Sequence, residues 1–320
     1  MAHSHTTLKQ KPVAVAILPR EGFSFVPQCL EVLYKHTPIP IEVAFFEGRA
    51  DSDTRLYLEQ FAKAHPNFTV IYSDTMLGQA ESRNLAAAHF YGHRFLVLME
   101  NEIIVRDGWL ENMLRCAEEE QAAIVAPLVM FTLNERIHSA GGGLLHISER
   151  DGKKIITEEI FGLEEKPNGN LLKRRKIDYP EIHCILIDRT KLHIEPLFDT
   201  TVETLDIDFG MTLLKNNITV FYEPQSVVYL PFPLPLRPID YDYFTQQWNY
   251  SQWEAKHLNF QRKWNSWPEE NHKKEFYQSQ QRLVYFARLF GPNTITLGIT
   301  NTYYLFKKRL GSYVKDLLKK

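Results

Sequence analysis

The sequence predicts an α/β fold: a mixed, mostly parallel β-sheet flanked by helices, with a helical appendage at its C-terminal end. Short apolar, β-branched runs alternate with amphipathic stretches from residue 13 onward, a pattern typical of βαβ units. The 320 residues are 44% hydrophobic, which is enough to bury one large domain. A proline-marked boundary near 231–238 separates this part from a helical, aromatic-rich remainder. We therefore divide the chain into a disordered N-terminal segment (1–12), a sheet domain (13–235) and a helical appendage (236–320).

Predicted strands and helices alternate in the first part of the sheet domain. Strands are predicted at 13–18, 41–46, 68–72, 94–99 and 122–131, since each is a short apolar run. Helices are predicted at 25–36, through Leu56 and Phe61, after the loop DTMLGQAESRN, and at 107–120. Asp107 is the predicted N-cap of the last helix, because its carboxylate can accept hydrogen bonds from free backbone amides.

The pattern changes between residues 131 and 180, where three consecutive glycines (141–143) interrupt it and KPNGNLLKRRK is rich in turn residues. We expect an exposed hairpin or insertion there, outside the core. The glycine run is not a phosphate-binding loop, because no lysine follows it in the P-loop pattern. The predicted sheet domain is completed by a strand at 182–188, a short helix at 205–216 and a strand or strand pair at 218–230.

Charge balance and cysteine content exclude several classes of protein. A formal net charge of -2 argues against a nucleic-acid partner, which would need a broad basic face. Cys29, Cys116 and Cys184 lie far apart in apolar surroundings, so we expect buried thiols in a reducing compartment. No window reaches about 18 consecutive apolar residues, and the N-terminus has no apolar leader. We therefore expect a cytoplasmic protein.

Polar segments follow three of the predicted strands. Glu47 follows the second strand, residues 78–84 follow the third, and Glu100, Asn101 and Glu102 follow the fourth. Parallel sheets bind ligands at these carboxyl ends. Two carboxylates one residue apart in an extended segment can both project toward a divalent cation or a ribose hydroxyl. The alternative is a solvated acidic loop that caps the next helix.

Asp206 and Asp208 stand near the start of the predicted helix at 205–216. A carboxylate that faces a cleft and is ionised could act as a general base toward a sugar hydroxyl. The helix dipole could equally stabilise both carboxylates without any chemical role.

Taken together, these positions resemble glycosyltransferase family 2, whose fold is the Rossmann-like GT-A type, over about residues 13–265. The matching segments, in the family's order, are EVAFFEGRADSDT, GQAESRN, RFLVLMENEIIVRDGWLENML, APLVMFTLNERIHSAGGG, the block from CILIDRT to FYEP, and FQRKW. Agreement of several ordered motifs with the predicted fold favours this resemblance over chance matches.

The resemblance implies transfer of a sugar, with inversion, from a nucleoside diphosphate sugar to a hydroxyl of a glycan or lipid-linked acceptor. Asp206 matches the family's catalytic base. The implied donor-binding residues are Glu47, at the nucleotide base, Gly78, Arg83, Asn84 and Glu100. The implied acceptor-side residues are Asp199 and Asp208, and Glu102 is the implied ligand of a divalent cation, Mn²⁺ or Mg²⁺.

Three departures from the family pattern bear on activity. The triplet is E-N-E rather than D-x-D, Leu205 replaces the first member of the family's E-D pair, and Leu230 stands where a histidine often ligates the metal. Glutamate is a longer arm than aspartate, so a metal held by Glu102 would sit differently. The alternatives to an active transferase are an inactive relative that binds a nucleotide or glycan, and an interaction scaffold.

Several other residues allow more than one interpretation. Arg83 could contact the diphosphate, or pair on the surface with Glu81 or a neighbouring carboxylate. The aromatic segment 241–267 could stack on sugar rings or pack as core. His183 and His193 have no cysteine or histidine at ligand spacing, so we expect both to be structural or surface residues.

The C-terminal segment YYLFKKRLGSYVKDLLKK predicts a basic amphipathic helix. Such a helix could lie on an anionic membrane, where lipid-linked acceptors are found, and would make the protein peripheral to it. It could instead pack against the sheet domain or against a second subunit.

Overall fold

The computed structural model of the protein describes residues 11–202, 205–231 and 237–266. The basic amphipathic helix predicted near the C-terminus, and nearly all of the predicted N-terminal segment, lie outside these described residues. Among the helices that the structure describes, none combines the length and apolar character needed to cross a bilayer.

Thirteen strands and seven α-helices make up the described part of the chain. The strands are β1 Val13–Leu18, β2 Ile41–Phe46, β3 Phe68–Ile71, β4 Phe95–Glu100, β5 Ile104–Val105, β6 Ile124–Phe131, β7 Ile137–Ala140, β8 Gly142–Arg150, β9 Lys153–Ile160, β10 Arg175–Ile177, β11 Tyr179–Pro180, β12 Cys184–Asp188 and β13 Val220–Leu230. The helices are α1 Val26–Lys35, α2 Ser52–Ala64, α3 Gln79–His89, α4 Trp109–Glu119, α5 Leu205–Lys215, α6 Tyr241–Gln247 and α7 Tyr250–Trp264.

A ten-stranded sheet forms the centre of the molecule, in the order β10-β13-β6-β12-β4-β1-β2-β3, with β5 added to β13 and β7 to β6. Strands β3, β2, β1 and β4 are parallel, as are β6 and β13. Strand β12 runs antiparallel between β4 and β6. The predicted mixed, mostly parallel sheet flanked by helices is therefore confirmed.

The central strands are buried on both faces, which is why they appear in the sequence as continuous apolar runs. Val15 and Ile17 of β1 pack in one hydrophobic cluster, whereas Ala14, Ala16 and Leu18 pack in a second cluster on the opposite face. The three cysteines are free and buried in this core, as predicted. Each face of the sheet is therefore covered, and the polar side chains of the site can gather only at the strand ends.

The segment between residues 131 and 180 is only partly the exposed insertion that the sequence predicts. Strands β8 and β9 do form a hairpin, which pairs with β11 in a separate three-stranded sheet. Strands β7 and β10, however, pair with β6 and β13 and so belong to the large sheet. The expectation of a segment outside the core is wrong at β7, where Ser139 and Ala140 are buried.

The predicted N-cap of α4 is also wrong. Gly108, not Asp107, occupies the cap position, with a left-handed backbone at φ 78° that glycine adopts without strain. The Asp107 carboxylate instead lies 2.6 Å from the His36 ring. Trp109 begins the helix and donates its indole N–H to Thr37. The turn into α4 is therefore set by backbone conformation rather than by a side-chain cap.

Helices α6 and α7 of the appendage pack closely against the sheet domain. The Tyr243 hydroxyl donates to the Leu77 carbonyl at 2.5 Å, and the Tyr243 ring meets Phe23 edge-to-face. Phe260 and Trp264 are buried in a cluster with residues of α5. These aromatic side chains serve packing, as one of the two interpretations of segment 241–267 expected.

Replacement of Gly142 by alanine should destabilise the fold. Gly142 has φ 133°, and an added Cβ would lie 2.1 Å from the Tyr179 carbonyl oxygen. We expect Gly142→Ala to lower the free energy of unfolding by at least about 2 kcal/mol, since backbone strain and a steric clash add. Urea denaturation followed by circular dichroism measures the change.

Gly169→Ala is the matched control, because no atom lies within 4 Å of its added Cβ. Its unfolding free energy should stay within about 0.5 kcal/mol of the native value. Equal stabilities of the two variants would show that the Gly142 backbone is not constrained.

Candidate active site

The site lies where the carboxyl ends of β1 and β4 meet the start of β12. Leu18 pairs with Glu100 across the parallel strands β1 and β4, which places Arg20 beside the acidic triplet. Since β12 is antiparallel to β4, its first residues lie at the same edge of the sheet. The Glu100 amide donates to the His183 carbonyl at 2.9 Å. Sheet register therefore brings together residues that are about 80 positions apart in the chain.

Glu100 is a buried carboxylate with cationic and imidazole donors on both oxygens. Arg83 Nη2 lies 2.7 Å from Oε1, and His183 Nδ1 lies 2.5 Å from Oε2. Arg20 Nε lies 3.2 Å from the same Oε2. Glu100 and Glu102 are 1% and 2% exposed. The interpretation of the triplet as a solvated acidic loop is therefore wrong.

Arg20 is one of the site residues that the sequence analysis missed. Its Nη1 donates to Glu102 Oε1 at 2.6 Å, and its Nη2 lies 3.5 Å from Glu21 Oε1. The guanidinium thus occupies the space between the carboxylates where the family resemblance implies a metal ion. A cationic side chain already bound there does not fit a metal-ligand set. The signal in the sequence is an arginine two residues after β1, opposite the end of β4.

The cluster holds more carboxylates than guanidiniums. Burial raises the pKa of Glu100, but His183, Arg20 and Arg83 outweigh it and hold the pKa below its ordinary value. Burial raises the pKa of Glu102 to about 8, and Arg20 only partly opposes the rise. Burial also raises the pKa of Glu21. Near neutral pH burial therefore favours a proton on the cluster, and the raised pKa values of Glu102 and Glu21 place it on one of these two carboxyls.

Two histidines and a glutamate form a second polar group beside the triplet. His183 Nε2 lies 3.4 Å from Glu181 Oε1, and His138 Nε2 lies 4.0 Å from the same oxygen. Within the described ranges, this is the single group of three His, Cys, Asp or Glu side chains with metal-ligand spacing. His183 therefore does have partners at ligand spacing, contrary to the sequence prediction, whereas His193 is exposed as expected.

Burial governs the protonation of this second group. It lowers the pKa values of His138 and His183, and the positive charge of Arg20 adds to the effect, so both rings are neutral near pH 7. Burial raises the pKa of Glu181 well above its ordinary range, and the charges of Asp206 and Glu100 raise it further. Neutral imidazoles are the form of histidine that binds metals.

Asp206 lies in the first turn of α5 and is partly buried. Its charge raises the pKa of Glu181 and of the Tyr179 hydroxyl, so its carboxylate lies near both groups. The structure thus brings Asp206 to the same region as Glu181 and Glu100, although α5 follows β4 by about a hundred residues.

Asp208 and Asp199 are held by the FQRKW segment instead. The Asp208 carboxylate accepts from the Trp264 indole at 2.7 Å and lies 2.9 Å from Lys263 Nζ. Lys263 Nζ also donates to Asp199 Oδ2 at 3.0 Å, and Thr201 binds the other oxygen of Asp199. Burial raises the pKa of Asp208, while Lys263 and Trp264 oppose the rise. Both carboxylates therefore tie the start of α5 and its preceding loop to α7.

The residues implied at the donor side have mainly intramolecular partners. Glu47 is 0% exposed and accepts from Arg55 Nε at 2.7 Å. Asn84 donates to the Phe198 carbonyl at 2.7 Å and accepts the Phe198 amide at 2.9 Å. Gly78, at the N-terminus of α3, lines a small cleft of about 50 Å³. These contacts hold the loops around the strand ends in place.

Arg83 is 0% exposed, so its interpretation as a surface ion pair with Glu81 is wrong. Besides Glu100, it donates to the carbonyls of Ile182 at 3.0 Å and Gln79 at 3.1 Å. The Arg83 guanidinium therefore holds the Glu100 carboxylate and the backbone just before β12 in place.

The raised pKa of Glu102 predicts a pH dependence of stability. A carboxyl with a higher pKa in the folded chain binds more protons when folded, so the contribution of Glu102 to stability falls as pH rises from about 4.5 to about 8. The lowered pKa values of His138 and His183 give a contribution of the opposite sign, which is common to the native chain and its variants. We expect Glu102→Gln to flatten this decline by an amount on the order of a few kcal/mol, because glutamine does not ionise. Urea denaturation at several pH values between 5 and 8 measures the slope.

Glu149→Gln serves as the control, since Glu149 is exposed on the β8–β9 hairpin. Its stability profile should follow that of the native chain. A Glu102→Gln profile parallel to both would mean that Glu102 does not carry the retained proton.

Comparison with known proteins gives a family match over about half of the chain. Residues 20–177 match the family model described as glycosyl transferase family 2. That range contains Arg20, the acidic triplet and the β8–β9 hairpin, but ends before His183 and Asp206. A search of curated protein sequences gives no match.

Solved structures of glycosyltransferases share the fold. GalNAc-T7 with UDP, GalNAc and Mn²⁺ has a TM-score of 0.54 at 10% identity, over 86% of this chain and 55% of that one. The mannosyltransferase PcManGT from Pyrobaculum calidifontis, in complex with GDP-Man and Mn²⁺, has a TM-score of 0.52 at 13% identity, over 93% of this chain and 81% of that one. S. aureus TarS 1-349, in complex with UDP-GlcNAc, has a TM-score of 0.51 at 13% identity, over 86% and 73%.

The chain spans about half the length of the GalNAc-T7 chain and a larger share of the other two. At these identities the likeness is one of fold. Residues 20–177 thus match a glycosyl transferase family 2 domain, in a chain whose fold is that of GT-A glycosyltransferases.

Proposed function

We propose that the protein transfers a sugar from a nucleoside diphosphate sugar to an acceptor hydroxyl, with inversion and with Asp206 as the general base. The observation that carries the proposal is the position of Asp206, whose carboxylate lies near Glu181 at the edge of the sheet where Glu100 ends β4. The family match and the nucleotide-sugar complexes of the structural neighbours support this class of reaction.

Two observations support Asp206 as the base. Its side chain is partly buried, and its charge raises the pKa values of Glu181 and Tyr179, so the carboxylate lies near both groups. A carboxylate at such a position can take the proton of an acceptor hydroxyl as the hydroxyl oxygen attacks the anomeric carbon. Attack from the face opposite the diphosphate inverts the configuration. The acceptor we propose is a glycan or a lipid-linked acceptor.

Arg20 supplies positive charge on the donor side. Its guanidinium lies between Glu21, Glu100 and Glu102 and is 14% exposed, so part of it can face a ligand. A guanidinium pairs well with phosphate oxygens and offsets the charge that grows on a departing diphosphate. Arg83 is fully buried and acts as a positioning residue through Glu100.

The triplet is not proposed as a metal site. Glu102 Oε1 already accepts from Arg20, and both oxygens of Glu100 accept from other side chains. The Mn²⁺ ions in two neighbouring structures support a divalent cation in this fold. In this chain, the side chains that suit such a cation are His138, Glu181 and His183.

Asp206→Asn should abolish sugar transfer while the fold and donor binding remain. Loss of a general base lowers turnover by about 10²- to 10⁴-fold. Release of nucleoside diphosphate from UDP-, GDP- and dTDP-sugars, measured with a panel of hydroxyl acceptors, gives turnover, and calorimetry gives donor affinity. Asp151→Asn is the matched control, because Asp151 lies exposed in the β8–β9 turn. Unchanged turnover in Asp206→Asn would show that Asp206 is not the general base.

A second candidate function is binding of a nucleotide or glycan without transfer. The internal pairing of Glu100 and Glu102 with Arg20, Arg83 and His183 favours it, because both oxygens of Glu100 and Oε1 of Glu102 already accept from other side chains. Calorimetry that shows donor binding, together with no turnover on any acceptor in the native chain, would favour this function over the transferase.

A further inference from the structure

We propose that His138, Glu181 and His183 form a binding site for a divalent transition-metal ion, separate from the acidic triplet. His138 lies on β7, Glu181 directly follows β11, and His183 directly precedes β12. Their candidate ligand atoms all lie within 4.8 Å of one another. The proposal rests on these side chains and does not depend on the transfer reaction.

The separations between ligand atoms are close to those of a bound site. His183 Nε2 and His138 Nε2 lie 3.4 and 4.0 Å from Glu181 Oε1. Metal–nitrogen bonds of about 2.0–2.1 Å in a tetrahedral site put neighbouring ligand atoms about 3.3 Å apart. No two ligand atoms in the group lie more than 4.8 Å apart, so side-chain rotations that move these atoms by about 1 Å would close the site around an ion.

The hydrogen bond of His183 prepares its other nitrogen for a metal. Nδ1 lies 2.5 Å from Glu100 Oε2, and an ionised carboxylate can only accept, so Nδ1 carries the proton. The Nε2 lone pair of the neutral ring is then free and faces Glu181. Metal-binding histidines typically donate their second ring nitrogen to a carboxylate in this way, which fixes both the tautomer and the ring orientation.

Glu100 is itself held rigidly, so the orientation of His183 is well defined. Arg83 and Arg20 bind the Glu100 oxygens at 2.7 and 3.2 Å, and the Glu100 amide donates to the His183 carbonyl. The Glu181 carboxylate also accepts the His183 backbone amide at 3.1 Å. The ligands are therefore placed by strand pairing and by a buried hydrogen-bond network rather than by a mobile loop.

The charge of the surroundings favours a cation. The ionisable groups around the site are the carboxyls of Glu21, Glu100, Glu102, Glu181 and Asp206 and the guanidiniums of Arg20 and Arg83. Carboxyls outnumber guanidiniums by three, and binding of a divalent ion would displace the protons that such buried carboxyls otherwise retain.

The ligand types indicate which metal fits. Two imidazoles and one carboxylate suit Zn²⁺ and other first-row transition metals, and three protein ligands leave further positions open. Mg²⁺ and Ca²⁺ prefer oxygen ligands throughout.

Calorimetry of the full chain tests the site directly. The protein is stripped with EDTA, dialysed and titrated with ZnCl₂, MnCl₂ and MgCl₂. We expect zinc to bind at one site that His138→Gln and Glu181→Gln each weaken by at least about 100-fold, since even loss of a supporting hydrogen bond costs 10- to 100-fold. Manganese should bind more weakly than zinc, and magnesium should not compete with either.

His146→Gln is the matched control. His146 Nε2 lies 3.0 Å from Glu159 on the exposed β8–β9 hairpin, a His–Glu pair without a third ligand. Its zinc affinity should equal that of the native chain. The visible spectrum of the Co²⁺-loaded native chain gives a second measurement. The d–d absorption bands of the bound Co²⁺ should disappear in His138→Gln.

The outcomes separate this proposal from the transferase proposal. Asp206→Asn should retain zinc binding even where transfer is lost. Zinc affinity that is unchanged in His138→Gln and Glu181→Gln, or a native chain that binds no zinc and gives no Co²⁺ spectrum, would overturn the metal site and leave the transferase assignment standing.

Discussion

The buried carboxylate of Glu100 is the interaction on which the rest of the site depends. An ionised carboxylate that is 1% exposed would be unstable alone, and it is stabilised by Arg20, Arg83 and His183 together. Each partner comes from a different element, so one charge joins the ends of β1 and β4, helix α3 and the start of β12. Because all three partners must approach the same two oxygens, the strand ends cannot shift independently.

The sheet could be predicted from the sequence because its central strands are buried on both faces and form unbroken apolar runs. The roles of the acidic triplet, Asp206 and the donor-side loops stay predictions, made from their order along the chain. Arg20 and the His138–Glu181–His183 group were missed for a physical reason. Arg20 reaches Glu102 only through the parallel pairing of β1 with β4, and His138, on β7, is brought to Glu181 and His183 only by the fold. Local spacing in the sequence reveals neither contact.

The same cause explains the errors in the segment between residues 131 and 180. Glycines and polar residues there resemble a surface insertion, yet two short strands in it complete the edges of the large sheet. Their pairing partners, β6 and β13, carry the regular apolar pattern of a buried strand. A short strand that pairs with one of them can form without such a pattern in its own sequence. Composition therefore described the exposed hairpin well and the paired edges poorly.

The contact of Asp208 with Lys263 and Trp264 changes what counts as one domain. A division at the prolines near 231–238 would separate these partners and leave a buried carboxylate on α5 without its donors. Helix α7 therefore packs as part of the core around α5, although it follows a proline-rich connection. A gene fusion or a natural truncation that ended at the prolines would therefore remove the Lys263 and Trp264 donors of Asp208, together with the Phe260 side chain that packs in the cluster with α5.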